Sequence, residues 1–201
     1  AVYDSRLKPE KRNQNQRLLL NANAHECLKP SGVSFASIDH DGCSQKSQEE
    51  AELIKEIVDS LVRQSYRDRN GNEQPVTLEN IMVVAPYNMQ VNLLKRVLPK
   101  GARIGTVDKF QGQESEVVIV SMTTSSGEYL PRRIEFLYSK NRLNVAISRA
   151  RTLSILVVNP LLLSIKCNTI EQVQLVNTLC WARNYSNQGQ SPALSMKGVN
   201  P

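Results

Sequence analysis

Short apolar runs, each closed by a turn signal, alternate along this chain with stretches of helical periodicity. Val33–Asp39 has strand character and ends at Asp41-Gly42. Ser47-Gln48-Glu49-Glu50 has the form of a capping box, in which serine and Glu50 satisfy free amide donors at a helix start. Ile54, Ile57, Val58 and Leu61 then recur at helical spacing and predict one buried face. Residues 67–77 are polar and predict a loop. Ile81–Ala85 is wholly apolar, as expected of a central strand covered on both sides. Pro86-Tyr87-Asn88 stops it, and Asn88 is placed to cap a helix carrying Val91, Leu94 and Leu98.

Arg103–Val107 and Val117–Met122 predict two more strands, and Ser125–Arg133 a loop. Residues 141–150 predict a helix, and Leu153–Val158 a last strand closed by Asn159-Pro160. Residues 170–183 predict a helix with Val173, Val176 and Leu179 on one face, where Trp181 is expected to pack. Strands alternating with helices imply an α/β fold with a mostly parallel sheet flanked by helices. The expected division is a linker or extension over 1–32, one domain over 33–184 and a flexible tail over 185–201. Ligands of such sheets sit at the carboxyl ends of strands, so Pro86-Tyr87-Asn88 and Gly105–Glu114, each following a strand, are expected on a functional edge.

Composition narrows the classes. The 201 residues suffice for one domain with a sizeable core. Lys and Arg number 25 against 19 Asp and Glu, a formal charge of +6 that favours a polyanionic partner such as nucleic acid or nucleotide. No apolar run reaches the roughly 20 residues of a membrane span. The 4 cysteines lack a disulfide framework spacing and fit a reducing setting, so a cytoplasmic location is expected, with nucleoid or nucleus open.

Two segments carry candidate chemistry. In Gly105–Glu114, a hydroxyl, glycines and free amides follow a strand, which suits close approach of backbone N–H groups to phosphate. Gln111 offers donor and acceptor, and Glu114 could accept from a sugar hydroxyl. A tight polar turn facing water is the simpler alternative on spacing alone. In Asn141–Arg151, Arg149 and Arg151 present guanidinium forks, the natural partners of a transferring phosphoryl group. A solvated arginine pair favouring a helix end is the alternative there.

Resemblance to a known family bears on both. Thr106-Val107-Asp108-x-Phe110-Gln111-Gly112-x-Glu114 closely resembles motif V of superfamily 1B helicases. Arg142-Leu143-Asn144-Val145-Ala146-x-Ser148-Arg149-Ala150-Arg151 is similar to motif VI, and Val83-Val84-Ala85-Pro86-Tyr87-x-x-Gln90 looks like motif IV. Their order and spacing also match, closest to the branch that contains the RNA helicase of nonsense-mediated decay and related DNA-processing helicases. The resemblance implies the second RecA-like domain of such an enzyme, with ATP and Mg2+ held mostly by a first RecA-like domain of the same parent chain. It implies Arg149 as the arginine finger, Gln111 and Gly112 in the nucleotide cleft, Glu114 on the ribose, and Arg151 as either a second cleft residue or a structural one. It further implies Thr106 on the backbone of single-stranded DNA or RNA, with Pro86, Tyr87 and Asn88 near the strand. Asp108 and Arg142 would fix these loops against each other.

Departures from the family pattern set limits. Gly-x-x-x-x-Gly-Lys-Ser/Thr occurs nowhere, nor does an Asp-Glu pair at a strand end, so the domain lacks its own phosphate loop and a self-contained P-loop ATPase is excluded. The chain alone is expected to be inactive as an ATPase. The alternative from another class is a non-catalytic nucleic-acid or protein interaction module on the same fold. His25-x-Cys27 and His40-x-x-Cys43 offer four zinc-type ligands, but their spacing is not that of a finger and they are expected to be separate structural side chains. Arg132, Arg133, Lys140 and Arg142 could contact phosphates or form a solvated loop.

Overall fold

The computed structural model describes residues 15–110, 112–130, 137 and 147–188. Its centre is a five-stranded sheet in the order β2-β8-β7-β5-β6, built from Gly32–Ser37 (β2), Ile81–Val84 (β5), Arg103–Gly105 (β6), Ser115–Ser121 (β7) and Ala150–Val158 (β8). Every pairing in it is parallel. Gln48–Leu61 (α1) and Asn88–Val97 (α2) cover one face, and Ile170–Gln188 (α3) covers the other. This is the α/β arrangement that the alternation of strands and helices predicts, and it is of the RecA-like kind that the helicase resemblance implies.

The period-two geometry of strands explains why the central runs are apolar at nearly every position, with buried Ser154 in β8 the exception. Ile81, Val83, Val117, Ile119, Leu153, Ile155 and Val157 join the core beneath α1 and α2. Their neighbours Met82, Val84, Val118, Val120, Leu156 and Val158 join the core beneath α3. A polar residue at any of these positions would have no face on which to meet water.

The expectation that residues before 33 stay outside the core does not hold for 17–28. Arg17–Leu19 (β1), Ser65–Arg67 (β3) and Glu73–Pro75 (β4) form a second, antiparallel sheet in the order β1-β3-β4. Leu18, Cys27 and Leu28 are buried against α1. The polar stretch read as a loop over 67–77 is therefore partly a hairpin. Its turn closes because Asp68 Oδ1 accepts from the Asn70 and Asn72 amides at 2.8 and 2.9 Å.

Helix ends differ from expectation where long-range partners intervene. Ser47 caps α1 as predicted, its hydroxyl accepting from the Glu50 amide at 3.1 Å. Glu50 does not complete the box. Gln90 does so from α2, its Oε1 accepting from the Ser47 amide at 2.9 Å. Asn88 is the first residue of α2 and not its cap, since Tyr87 occupies the capping position, where its side chain makes no capping bond. In α3, Val176 and Leu179 are buried as expected, whereas Val173 and Trp181 are exposed. Trp181 stacks on Tyr185 at 5.3 Å on the outer face of the helix. The helix expected over 141–150 lies largely outside the described residues, as do Arg132, Arg133, Lys140 and Arg142.

Candidate nucleotide and nucleic-acid edges

The predicted site residues fall at two opposite ends of the sheet. Gly105 aligns with Val84, and Val84 with Val120, so the segment after β6 leaves from the carboxyl edge. Ser115 begins β7 at the amino edge. Residues 106–114 thus run the length of the sheet, about 16 Å if each of the five steps from Val120 to Ser115 spans the usual strand rise. The expectation that the whole Gly105–Glu114 segment sits on the carboxyl edge is corrected by this register.

At the carboxyl edge lie Pro86, Tyr87, Asn88 and Thr106. Asn88 is exposed, and Pro86 and Thr106 are half-buried. Tyr87 is 5% exposed and packs into the core beneath α3, so its ring supports the loop from below. Thr106 opens a 3-10 turn, with its carbonyl accepting from the Lys109 amide at 3.1 Å. Gly105 stands immediately before it in close quarters. A Cβ there would come within 2.5 Å of Lys109 Cδ and 3.1 Å of Phe110 Cε2, the side chains that fold back over the strand end.

Beneath this edge sits a polar cluster that sequence reasoning missed. Glu50, fully buried, accepts from the Thr123 amide with both oxygens at 2.9 Å. It also accepts from the Ser121 hydroxyl and from His40 Nε2, the latter at 3.2 Å. Because a carboxylate only accepts, Nε2 carries the His40 proton. His40 Nδ1 meets Ser125 Oγ at 2.8 Å, and that hydroxyl accepts from the Cys43 amide at 2.9 Å. Ser125, His40 and Glu50 have the composition of a nucleophilic triad, yet Ser125 is fully buried and no substrate can reach it. The cluster acts as a lock on the turn after β7. There Thr123 holds φ at 72°, a left-handed conformation that a β-branched residue adopts only when its surroundings impose it.

At the amino edge lie Gly112, Glu114, Arg149 and Arg151; Gln111 falls outside the described residues. Gly112 has φ 77°, which lets the chain turn without a Cβ penalty. The Ser115 amide donates to the Arg149 carbonyl at 3.0 Å, which brings the end of this turn against the residue before β8. Arg151 Nε donates to Glu114 Oε2 at 3.1 Å, and Nη1 lies 3.5 Å from Glu116 Oε1. The hydrogen bond to Glu114 raises the Arg151 pKa above its ordinary value, against an opposing effect of burial. Arg149 Nε is buried and has no hydrogen-bond partner among the described residues. A buried guanidinium nitrogen left in that state is costly unless something else engages it. Arg103 was absent from the sequence-based list, because a lone arginine at a strand start carries no local signal.

The zinc-type residues are separate. His25 Nδ1 accepts from the Cys27 amide at 3.2 Å, and His40 is engaged as above. Burial pushes the Cys27 thiol up to about 12. Among the described residues, no group of three His, Cys, Asp or Glu could hold a metal ion, and no helix is long and apolar enough to cross a membrane.

Comparison with known proteins agrees with this architecture. The chain is 39% identical over 101 residues to the probable RNA helicase armi of Drosophila melanogaster, which covers 45% of this chain and 8% of that protein. It is 33% identical over 161 residues to the DNA polymerase alpha-associated DNA helicase A of Schizosaccharomyces pombe, covering 75% of this chain and 24% of the relative. An uncharacterized ATP-dependent helicase of Methanocaldococcus jannaschii is 27% identical over 186 residues, covering 90% of this chain and 24% of the relative. The chain thus spans no more than 24% of the length of these relatives. The family described as AAA domain matches residues 1–161, most of the sequence. With a parallel RecA-like sheet and relatives that are named as helicases, the chain belongs to this AAA-domain family of helicase type.

Proposed function

We propose that this domain is the second RecA-like half of an ATP-dependent helicase or translocase, closing on a first RecA-like domain of the same polypeptide. The amino edge faces nucleotide held between the two halves. Arg149 reaches the γ-phosphate as the arginine finger, while Gln111 and Gly112 line the cleft and Glu114 accepts from the ribose. The carboxyl edge forms part of the track for single-stranded DNA or RNA, with Thr106 on the strand backbone, Pro86 and Asn88 beside it, and Tyr87 beneath the loop.

What carries this reading is the hydrogen bond from the Ser115 amide to the Arg149 carbonyl, 3.0 Å long, between the motif V turn and the motif VI arginine. The buried, unpartnered Arg149 Nε supports it, since a phosphoryl oxygen is a fitting acceptor. Mg2+ bound with ATP would supply charge neutralisation at the β- and γ-phosphates, mostly from the first domain. On this side, Arg149 stabilises the charge that develops on the transferring phosphoryl group only when the domains close. Closure would then be coupled to the grip on the strand through residues 106–114, which span the sheet between the two edges.

The decisive experiment replaces Arg149 with Ala in the full-length polypeptide and measures nucleic-acid-stimulated ATP hydrolysis beside nucleotide binding. Hydrolysis should fall by roughly 10³-fold or more, the worth of an arginine finger, with binding largely retained. Normal turnover in that variant would refute the assignment and favour a non-catalytic interaction module.

A further inference from the structure

The turn that carries Glu114 has little core beneath it. Gly112, Gln113 and Glu114 are all exposed, and a Cβ on Gly112 would meet nothing within 4 Å. Besides backbone bonds, polar side chains on the two flanks of β7 hold it. From the β6 side, Arg103 Nη2 donates to Gln113 Oε1 at 3.0 Å. Its Nη1 donates to Ser115 Oγ at 3.3 Å and to the Glu79 carbonyl at 2.9 Å. The Arg103 guanidinium carbon also lies over the Phe110 ring, 5.9 Å from its centroid. From the β8 side, Arg151 engages Glu114 and Glu116. Glu116 is itself fixed, because Thr152 Oγ1 donates to its second oxygen at 3.0 Å.

A half-exposed ion pair alone contributes little. Here one guanidinium bridges two carboxylates, and one of these, Glu116, is only 7% exposed on its side chain. Nε and Nη1 of Arg151 are thereby directed at carboxylates, whose two negative charges more than compensate its own. A guanidinium so engaged is a poor partner for a further anion and a good support for a carboxylate.

We infer that Arg103 and Arg151 are positioning residues that grip the Gly112–Ser115 turn from opposite sides and hold Glu114 beside the start of β8. This rests on the reading of Glu114 as a nucleotide contact. It assigns Arg151 a role through Glu114 and not on the phosphates, and it adds Arg103 to the residues on which the amino edge depends.

The test titrates ADP onto the full-length polypeptide as wild type, Arg103→Ala, Arg151→Gln, Glu114→Gln and the Arg151→Gln/Glu114→Gln double variant. Amide hydrogen exchange at Ser115 is followed without nucleotide. Arg151→Lys keeps the charge but not the two-carboxylate fork, and replaces Arg151→Gln if that variant melts early. Each single variant should weaken ADP affinity about ten-fold, the scale of one charge-assisted hydrogen bond, and the double variant should be no weaker than either parent. Exchange at Ser115 should accelerate in both arginine variants. Additive losses in the double variant would mean that Arg151 touches nucleotide itself and would overturn the inference. So would unchanged exchange and affinity in the arginine variants while Glu114→Gln binds weakly. Accelerated exchange with wild-type ADP affinity in Glu114→Gln would leave the clamp standing and remove the nucleotide reading of the turn.

Discussion

The Thr123 amide donates to both carboxylate oxygens of Glu50, at 2.9 Å each. One residue sits at the start of α1 and the other past the end of β7, so a single buried carboxylate fixes a strained turn on the carboxyl edge. Glu50→Ala would leave His40, Ser121 and Thr123 facing a void without their acceptor. A loss of about 3–5 kcal/mol is expected in denaturant unfolding, the usual cost of removing one partner of a buried charged network. A loss below about 1 kcal/mol would show that the cluster relaxes and does not hold the turn.

Gln90 joins the two helices of one face. Its Nε2 donates to the Ser47 carbonyl and to Ser121 Oγ, each at 3.1 Å, while Oε1 accepts from the Ser47 amide. Gln90→Ala should cost about 2–3 kcal/mol, since it strands the buried Ser47 amide and carbonyl at the α1 cap. Ser47→Ala, which removes only the hydroxyl acceptor, should cost about 1 kcal/mol. Equal losses in the two variants, read from urea midpoints, would contradict this ranking.

Cys27 makes stability depend on alkali. Burial raises its thiol from an ordinary value of 9.0 to about 12, with the Glu26 charge adding to the effect. The native state therefore keeps a proton that the unfolded state gives up between those values, so unfolding becomes easier as pH rises through that window. The contribution is fully present below about pH 9 and is lost progressively toward about pH 12. Urea midpoints of wild type and Cys27→Ala should run parallel below pH 9, and the wild type should then fall more steeply. Parallel curves across the whole range would refute the shift.

Trp181 is the single tryptophan and is 49% exposed. Its fluorescence should be readily quenched by acrylamide in the native state, and Trp181→Ala should change stability by less than about 1 kcal/mol, as for a surface substitution. Strong protection from the quencher would mean that the outer face of α3 is covered.

The two edges should separate genetically. Thr106→Ala in the full-length polypeptide should weaken single-strand binding with nucleotide affinity unchanged, whereas Glu114→Gln should do the reverse. A Thr106 variant that loses nucleotide affinity as strongly as strand affinity would contradict the separation by strand register.

Much of this molecule is written in short-range pattern. Runs such as Ile81–Val84 and Val117–Val120 are apolar at every position, which only a strand buried on both faces tolerates. The spacing of Ile54, Ile57, Val58 and Leu61 fixes the inner face of α1, and Ser47 marks its start. Period and capping act over a few residues, so the chain alone specifies them. The order of its motifs likewise marks it as helicase-like before any coordinates. Register and strand order decide the rest. Glu50 reads as the local partner of Ser47, but the end of β7 meets the start of α1 and brings it Ser121 and, just beyond the strand, Thr123 instead. Gly112 and Glu114 follow Thr106 closely in sequence, yet the parallel crossover carries them to the opposite edge, where β8 brings Arg149 and Arg151. Tyr87 is drawn into the core by the buried residues around it, and Trp181 is left on the surface because α3 presents it outward. Such partners are set by how the sheet is assembled, and no local periodicity encodes that.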